Sequence, residues 1–278
     1  MDRVDEDLYT YRALRTDVPA LGEVMPPVLD LTAAAGQLWA ATADDYDEAA
    51  LAAVLTSPDV SALWRSWRVA ADTDEASGAA WTRVYVLEAA DPEVAGATLR
   101  AALAEAGPDS TLILGMATGD PVSPAARAAI GSSVLVWALD GGEPISVARV
   151  FDGVDPDTGP YFQDQHPKLD GYERDAALNF LDSGHMLVTT PQLQIDVMDP
   201  QRGAVVPMNF RTDGVWVWTD TVAYYLREHG LAPDQELLAH AREASFVAAE
   251  ADAVGLHRAL ACLFLPSHLE PVAADGVG

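Results

Sequence analysis

The chain has 278 residues, enough for a full hydrophobic core and close to the boundary between one large domain and two small ones. Its 43 acidic residues stand against 16 basic ones, a formal charge of −27, and Lys168 is the only lysine. Such a surface repels nucleic-acid phosphates and anionic membranes, which argues against both as partners and leaves solubility or attraction to a basic protein as its uses. Cys262, the single cysteine, rules out an intrachain disulfide and sits in an apolar Ala-Cys-Leu-Phe-Leu run, where a thiol packs as a small hydrophobe. The first residues, Met-Asp-Arg-Val-Asp-Glu-Asp-Leu, lack the apolar region of a signal peptide, and no stretch of about 18 apolar residues occurs, so a cytoplasmic protein is expected.

Pro19, Pro26 and Pro27 break regular structure in the first 30 residues, and a helix is expected to start near Leu31. The next helix runs from Asp45 to Leu55, with Leu51, Val54 and Leu55 on one face. Ser57-Pro58 reads as the cap and first residue of a short helix carrying Leu63, Trp64 and Trp67, and the acidic residues 71–79 as a loop. Arg83-Val-Tyr-Val-Leu87 is a β-rich run. Asp91-Pro92 opens a helix stopped by Gly107-Pro108, with Leu99, Ala102, Leu103 and Ala106 on one side. Thr111 to Met116 is a second strand, Ser123-Pro124 opens a helix closed by Gly131, and Ser133 to Leu139 is a third strand. Apolar strands alternating with amphipathic helices predict an α/β fold with a parallel βαβαβ core over residues 1–150.

Residues 151–171 are turn-rich and read as a linker or long loop, preceded by an edge strand from Ile145 to Phe151. The rest, 172–266, reads as an α+β region. It has a helix from Glu173 to Leu181, strands at Met186–Thr189 and Gln192–Val197, and a hairpin from Pro207 to Trp218 turning at Thr212-Asp213-Gly214. Three helices follow: Asp220 to His229, ended by Gly230; Pro233 to about Glu243; and Ser245 to Phe264. In the last, Phe246, Ala249, Ala253, Leu256, Leu260 and Leu263 form an apolar stripe suited to core packing or to self-association through that helix. Residues 267–278 are expected to be a disordered tail.

The chemistry-bearing motifs are sparse. Gly115-Met-Ala-Thr-Gly119-Asp-Pro enters a helix but lacks a P-loop lysine and the dinucleotide spacing, and Asp120 repels an anion. Asp152, Asp155 and Asp157 miss the calcium-loop spacing, placing Gly159 and Asp164 where the loop needs other positions, so they read as an acidic turn. None of the six histidines shows zinc-site spacing, Ser183-Gly-His185 and Ser267-His268 lack a nucleophile elbow, and the second helix after Gly230 is acidic where a DNA reader needs cations. No cofactor or metal is therefore expected.

The distinctive segment is Val206 to Gly230. On a strand Trp216 and Trp218 share one face and Val215 and Val217 the other, with Tyr224 and Tyr225 on the helix that follows. Such rings either form a second core or, with Arg211, Asp213, Asp220 and Arg227, a partner-binding surface, since aromatics and arginine are enriched at binding hot spots. The pattern Thr-Asp-Gly-x-Trp-x-Trp, Tyr-Tyr-Leu, His-Gly-Leu-x-Pro resembles a group of actinobacterial proteins of uncharacterised activity, over roughly Glu173 to Glu243. Some of these are similar to immunity or accessory proteins of polymorphic toxin systems. The resemblance implies a protein partner and carries no catalytic residues.

Three functions remain open at this point. The first is a non-enzymatic acidic binding protein that masks a basic partner. The second is a small-molecule enzyme using the crevice at the strand carboxyl ends, where Glu88, Asp91, Thr118, Asp120 and Asp140 fall. The third is an assembly component that oligomerises through the last helix.

Overall fold

The computed structural model describes residues 9–15, 26–32, 39, 42–71, 81–107, 110–141 and 144–264. Most of the helix expected from Leu31, most of the 71–79 loop and the 267–278 tail lie outside the described residues. The chain is an α/β protein of two compact units, one formed by residues 1–142 with 260–278, the other by 143–259. Among the described residues no helix is long and apolar enough to cross a membrane.

In the first unit the elements are β1 (Tyr9–Arg12), β2 (Leu29–Asp30), α1 (Asp45–Leu55), β3 (Val60–Ala70), β4 (Thr82–Ala89), α2 (Pro92–Ala106), β5 (Thr111–Ala117), α3 (Pro124–Ile130) and β6 (Val134–Ala138). The sheet order is β2-β6-β3-β4-β5, with β1 also on β3. β4 and β5 are parallel neighbours joined through α2, as the sequence predicts. Pro92 and the Asp91 side chain, which accepts a hydrogen bond from the Val94 amide, start that helix. β6 runs in the same direction but two places away, because β3 lies antiparallel between it and β4. The core is therefore a mixed sheet and not a purely parallel one.

β3 is also where the helix predicted from Ser57-Pro58 fails. The Thr56 and Ser57 hydroxyls both donate to the Ala53 carbonyl at 2.9 Å, so this pair closes α1 instead of opening a new helix. The following 11 residues, with two tryptophans and two valines, form the central strand, and Trp64 is fully buried there. Helices α1 and α2 cover one face through Ala50, Val54, Leu99 and Leu103, packed on Leu63, Tyr85, Leu87 and Val136.

Under α1 lies a buried ionic cluster. Arg83 grips Asp44 with two bonds, at 2.6 and 3.2 Å, and lies over the Trp67 ring. Tyr85 donates to the wholly buried Asp47 at 2.7 Å, with Arg83 and Arg65 3.5 and 3.7 Å from the same carboxylate. Burial, then the Asp47 charge, pushes the Tyr85 phenol far above its ordinary range, so it stays a donor at any physiological pH. Tyr85→Phe is expected to cost about 1.5–3 kcal/mol, the loss of a hydrogen bond to a buried charge, read as a lower urea midpoint at unchanged slope.

The second unit contains β7 (Ser146–Val147), β8 (Gly153–Asp155), β9 (Gly159–Tyr161), α4 (Gly171–Ser183), β10 (His185–Val188), β11 (Leu193–Ile195), β12 (Ala204–Pro207), β13 (Phe210–Thr212), β14 (Trp216–Thr219), α5 (Asp220–His229) and α6 (Gln235–Glu243); α7 spans Ala253–Phe264. Residues 151–171, expected to be a linker or a long loop, hold the β8–β9 hairpin and belong to this unit, so they do not link two domains. The sheet runs β10-β13-β14-β7, and β11 and β12 form a separate two-stranded ribbon. The Asp213-Gly214 turn joins β13 to β14 as expected, Gly214 at φ +93° and Asp213 accepting from the Val215 and Trp216 amides.

The last helix begins eight residues later than its apolar stripe predicts. Ser245 and Phe246 adopt left-handed φ values of 54° and 58°, and the Phe246 amide closes on the Ala241 carbonyl, which ends α6. Phe246 packs against the core under α6, so it and Ala249 are not part of a continuous stripe. Asp252 then caps α7, accepting from the Gly255 amide at 2.7 Å.

Candidate functional site

A polar constellation of the second unit forms where the β11–β12 ribbon meets α5. Leu193 pairs with Pro207, Gln194 with Val206 and Ile195 with Ala204. The connection folds on Asp196, whose Oδ1 accepts from the Met198 and Asp199 amides at 2.9 and 3.2 Å, an Asx turn. A 3₁₀ turn at Pro200–Arg202 and Gly203, at φ +75°, complete the return.

Asp196 is wholly buried, and its other oxygen faces α5. Tyr224 donates to Oδ2 at 2.9 Å, His229 Nε2 lies 2.8 Å away, and an Arg202 nitrogen approaches to 3.5 Å. Arg202 also donates to the Tyr224 hydroxyl and to Glu228, and the Tyr225 hydroxyl accepts from the Val197 amide. Burial works to raise the Asp196 pKa, but the bonds from His229, Tyr224 and the two amides outweigh it and hold the carboxyl below its ordinary value. Burial and the Asp196 bond push the Tyr224 phenol up to about 12, so it remains a donor. Val206 packs beneath the ribbon against Tyr224, Tyr225 and Leu231. The network locks the base of the ribbon to the helix, while Leu193, Ile195, Met198 and Val205 stay exposed above it.

The eight residues singled out in the sequence do not form one open surface. Trp216 and Trp218 are buried between α4, α5 and α6; Trp218 stacks on Phe180 and donates its indole N–H to the Leu181 carbonyl. Tyr224 and Tyr225 are buried under the Asp196 loop. The cause is coverage from both sides: Val217, on the opposite strand face, is buried as well. Asp213 is a turn residue held 2.6 Å from His240. Arg211 bonds Asp220 and the carbonyls of Asp182 and Gly184, clamping the end of α4 to the start of α5, and Arg227 pairs with Asp182 across the same two helices. The strand expected at Gln192–Val197 is present as Leu193–Ile195, but its pairing with β12 into a separate ribbon was not foreseen. Its signal was the alternation of Leu193 and Ile195 with Gln192 and Gln194, an apolar face with no assigned cover.

At the strand carboxyl ends of the first unit, Thr118 and Ser61 lie 3.2 Å apart, and Ser61 donates to the Glu88 carbonyl. Asp91 is the α2 cap, and Asp120 and Asp140 sit in turns. A ligand crevice opens where neighbouring parallel strands diverge, and between β4 and β6 that place is taken by β3, whose Ser61 carbonyl accepts from the Leu139 amide. At β5, Pro92 packs so closely that a Cβ on Gly115 would sit 2.9 Å from the proline ring.

Three histidines of the second unit are each set against an aspartate: His166 on Asp152 at 2.9 Å, His229 on Asp196 and His240 on Asp213. Asp152 and Asp196 are both held below their ordinary pKa, against burial, by such bonds and by backbone amides. A carboxyl depressed in the fold stabilises it above the unfolded pKa of about 3.9 and loses that contribution as pH falls through the folded value. The melting temperature is therefore expected to drop steeply below about pH 4, and Asp196→Asn to flatten that drop in melts from pH 6 to pH 3. A parallel fall in both proteins would show that Asp196 is not among the groups responsible.

No protein-family model matches this chain, and neither a curated protein nor a solved structure matches it significantly.

Proposed function

We propose that this is a non-enzymatic, acidic binding protein of the cytoplasm that covers a basic protein partner, in the manner of an immunity or antitoxin protein. The observation that carries this reading is the disposition of charge. In the second unit five arginines are turned onto acids of the fold itself: Arg149 on Asp234, Arg202 on Glu228, Arg211 on Asp220, Arg227 on Asp182 and Arg242 on Glu173. Asp157, Asp164, Asp199, Glu243 and Glu250 remain exposed, with no ion pair to a cation among the described residues. The surplus of the −27 charge is thus displayed outward, the arrangement that speeds encounter with a cationic surface and is screened by salt. An enzyme at the strand carboxyl ends has less support, because β3 occupies the switch point such a site needs.

The test is capture of partners on the immobilised chain from its host lysate, followed by purification of the captured protein and measurement of association rates. A basic protein whose association slows on the order of tenfold or more between low and high salt supports the reading. No specific partner, or an association indifferent to salt, would remove it.

A further inference from the structure

We infer that the β11–β12 ribbon is the docking element for that partner, through an apolar contact ringed by the partner's lysines or arginines. The inference rests on the reading of the chain as an acidic binding protein and adds where the contact is made. Among the described residues β11 and β12 pair as strands only with each other. An isolated two-stranded ribbon is marginal in water, and this one is held in place by what lies under it: Val206 in the aromatic core and Asp196 in its network with Tyr224 and His229. Its outer side is the reverse of what a solvated ribbon needs. On β11 Leu193 and Ile195 are 52% and 58% exposed, and Val205 on β12 and Met198 in the connecting loop are exposed as well. An apolar cluster of this kind on a rigid base marks an interaction site, and the rigidity lowers the ordering cost of binding.

Charge chooses the occupant. A second copy of the chain would bring −27 against −27, so self-association through the ribbon is opposed at long range, whereas a cationic protein is drawn in. Asp199 is exposed in the loop that joins the two strands, where a basic side chain flanking an apolar patch would meet it. The polar work is then done at distance by the whole surface and the short-range work by the ribbon, the division seen where rim charges set encounter and a buried apolar centre sets residence time.

The experiment places a photo-crosslinker, p-benzoylphenylalanine, at Ile195 or at Val154, an exposed position on β8, in the full chain within its host. Adducts are identified by mass spectrometry. A basic protein joined at Ile195 and not at Val154 is the expected result. That protein, purified, should bind the Leu193→Ser/Ile195→Ser double variant at least ~10-fold more weakly while keeping its salt dependence. Near-UV circular dichroism of the variant should be unchanged, since both side chains are exposed. Adducts only to the chain itself or to an acidic protein, no adduct at Ile195, or binding by the double variant within about twofold of the parent would each overturn the ribbon. A basic protein crosslinked from Val154 alone would sink the ribbon and leave the binding-protein reading standing. Absence of adducts together with failure of salt-sensitive capture would sink both.

Discussion

Asp196→Ala is expected to lower the unfolding free energy by about 3–5 kcal/mol, as removal of one partner from a buried charged network does. Four donors converge on this carboxylate from two directions: the Met198 and Asp199 amides from its own loop, and Tyr224 and His229 from α5. The alanine leaves all four without their acceptor, the Tyr224 hydroxyl among them in a buried position, and leaves Arg202 without one of its two anions. Asp196→Asn keeps the shape and one acceptor oxygen but brings an amide group toward donors, and its expected cost is smaller, about 1–3 kcal/mol. Urea unfolding at pH 7 separates the two. Hydrogen exchange adds a local reading, because the Val197 to Asp199 amides should lose protection in the alanine variant before the sheet core does. A loss below about 1 kcal/mol, or exchange unchanged in that loop, would mean that the network is not what anchors the ribbon. The result also bears on binding: a loosened ribbon should cost affinity even though Asp196 itself is out of a partner's reach.

What could be read from the chain in advance was what is local. Asp91-Pro92 and Ser123-Pro124 are helix starts on chemistry within four residues, Gly230 ends α5 at φ +70°, and Asp213-Gly214 makes its hairpin from its own side chains. The failures are places where distant partners outvote a local signal. Ser57-Pro58 carries a valid helix-start pattern, yet three strands, β1, β4 and β6, pair with the residues that follow and hold them extended. Adjacency of β5 and β6 is the default for consecutive parallel strands, and only the pairing of β3 with β6 displaces it. The site shows the same division. The Trp-x-Trp and Tyr-Tyr pairs were visible, but whether they meet solvent depends on α4 and α6 and on a loop 28 residues away from Tyr224. Asp196 looked like one acid among 43, and nothing near it in sequence distinguishes it from the exposed ones.

Trp218→Ala is the second substitution of large effect, with an expected cost of about 3–5 kcal/mol. The ring is 1% exposed, stacks on Phe180 at 5.3 Å and uses its only polar atom on the Leu181 carbonyl. Truncation removes the apolar contact, opens a cavity among α4, α5 and α6, and leaves that carbonyl short of a donor. Six other tryptophans remain, so circular dichroism is a cleaner probe of the transition than fluorescence. The cause can be tested through Gly184, whose backbone at φ −57° would accept any residue but whose added Cβ would run into the Trp218 ring. Gly184→Ala should therefore cost about 1–3 kcal/mol by overpacking. With Trp218 already cut to alanine the same methyl group has room, and it refills part of the void. The double variant should then be more stable than the sum of the single losses predicts, by about 1–3 kcal/mol. Additivity within about 0.5 kcal/mol would show that Gly184 and the indole do not press on one another, and that the glycine is there for some reason other than the ring.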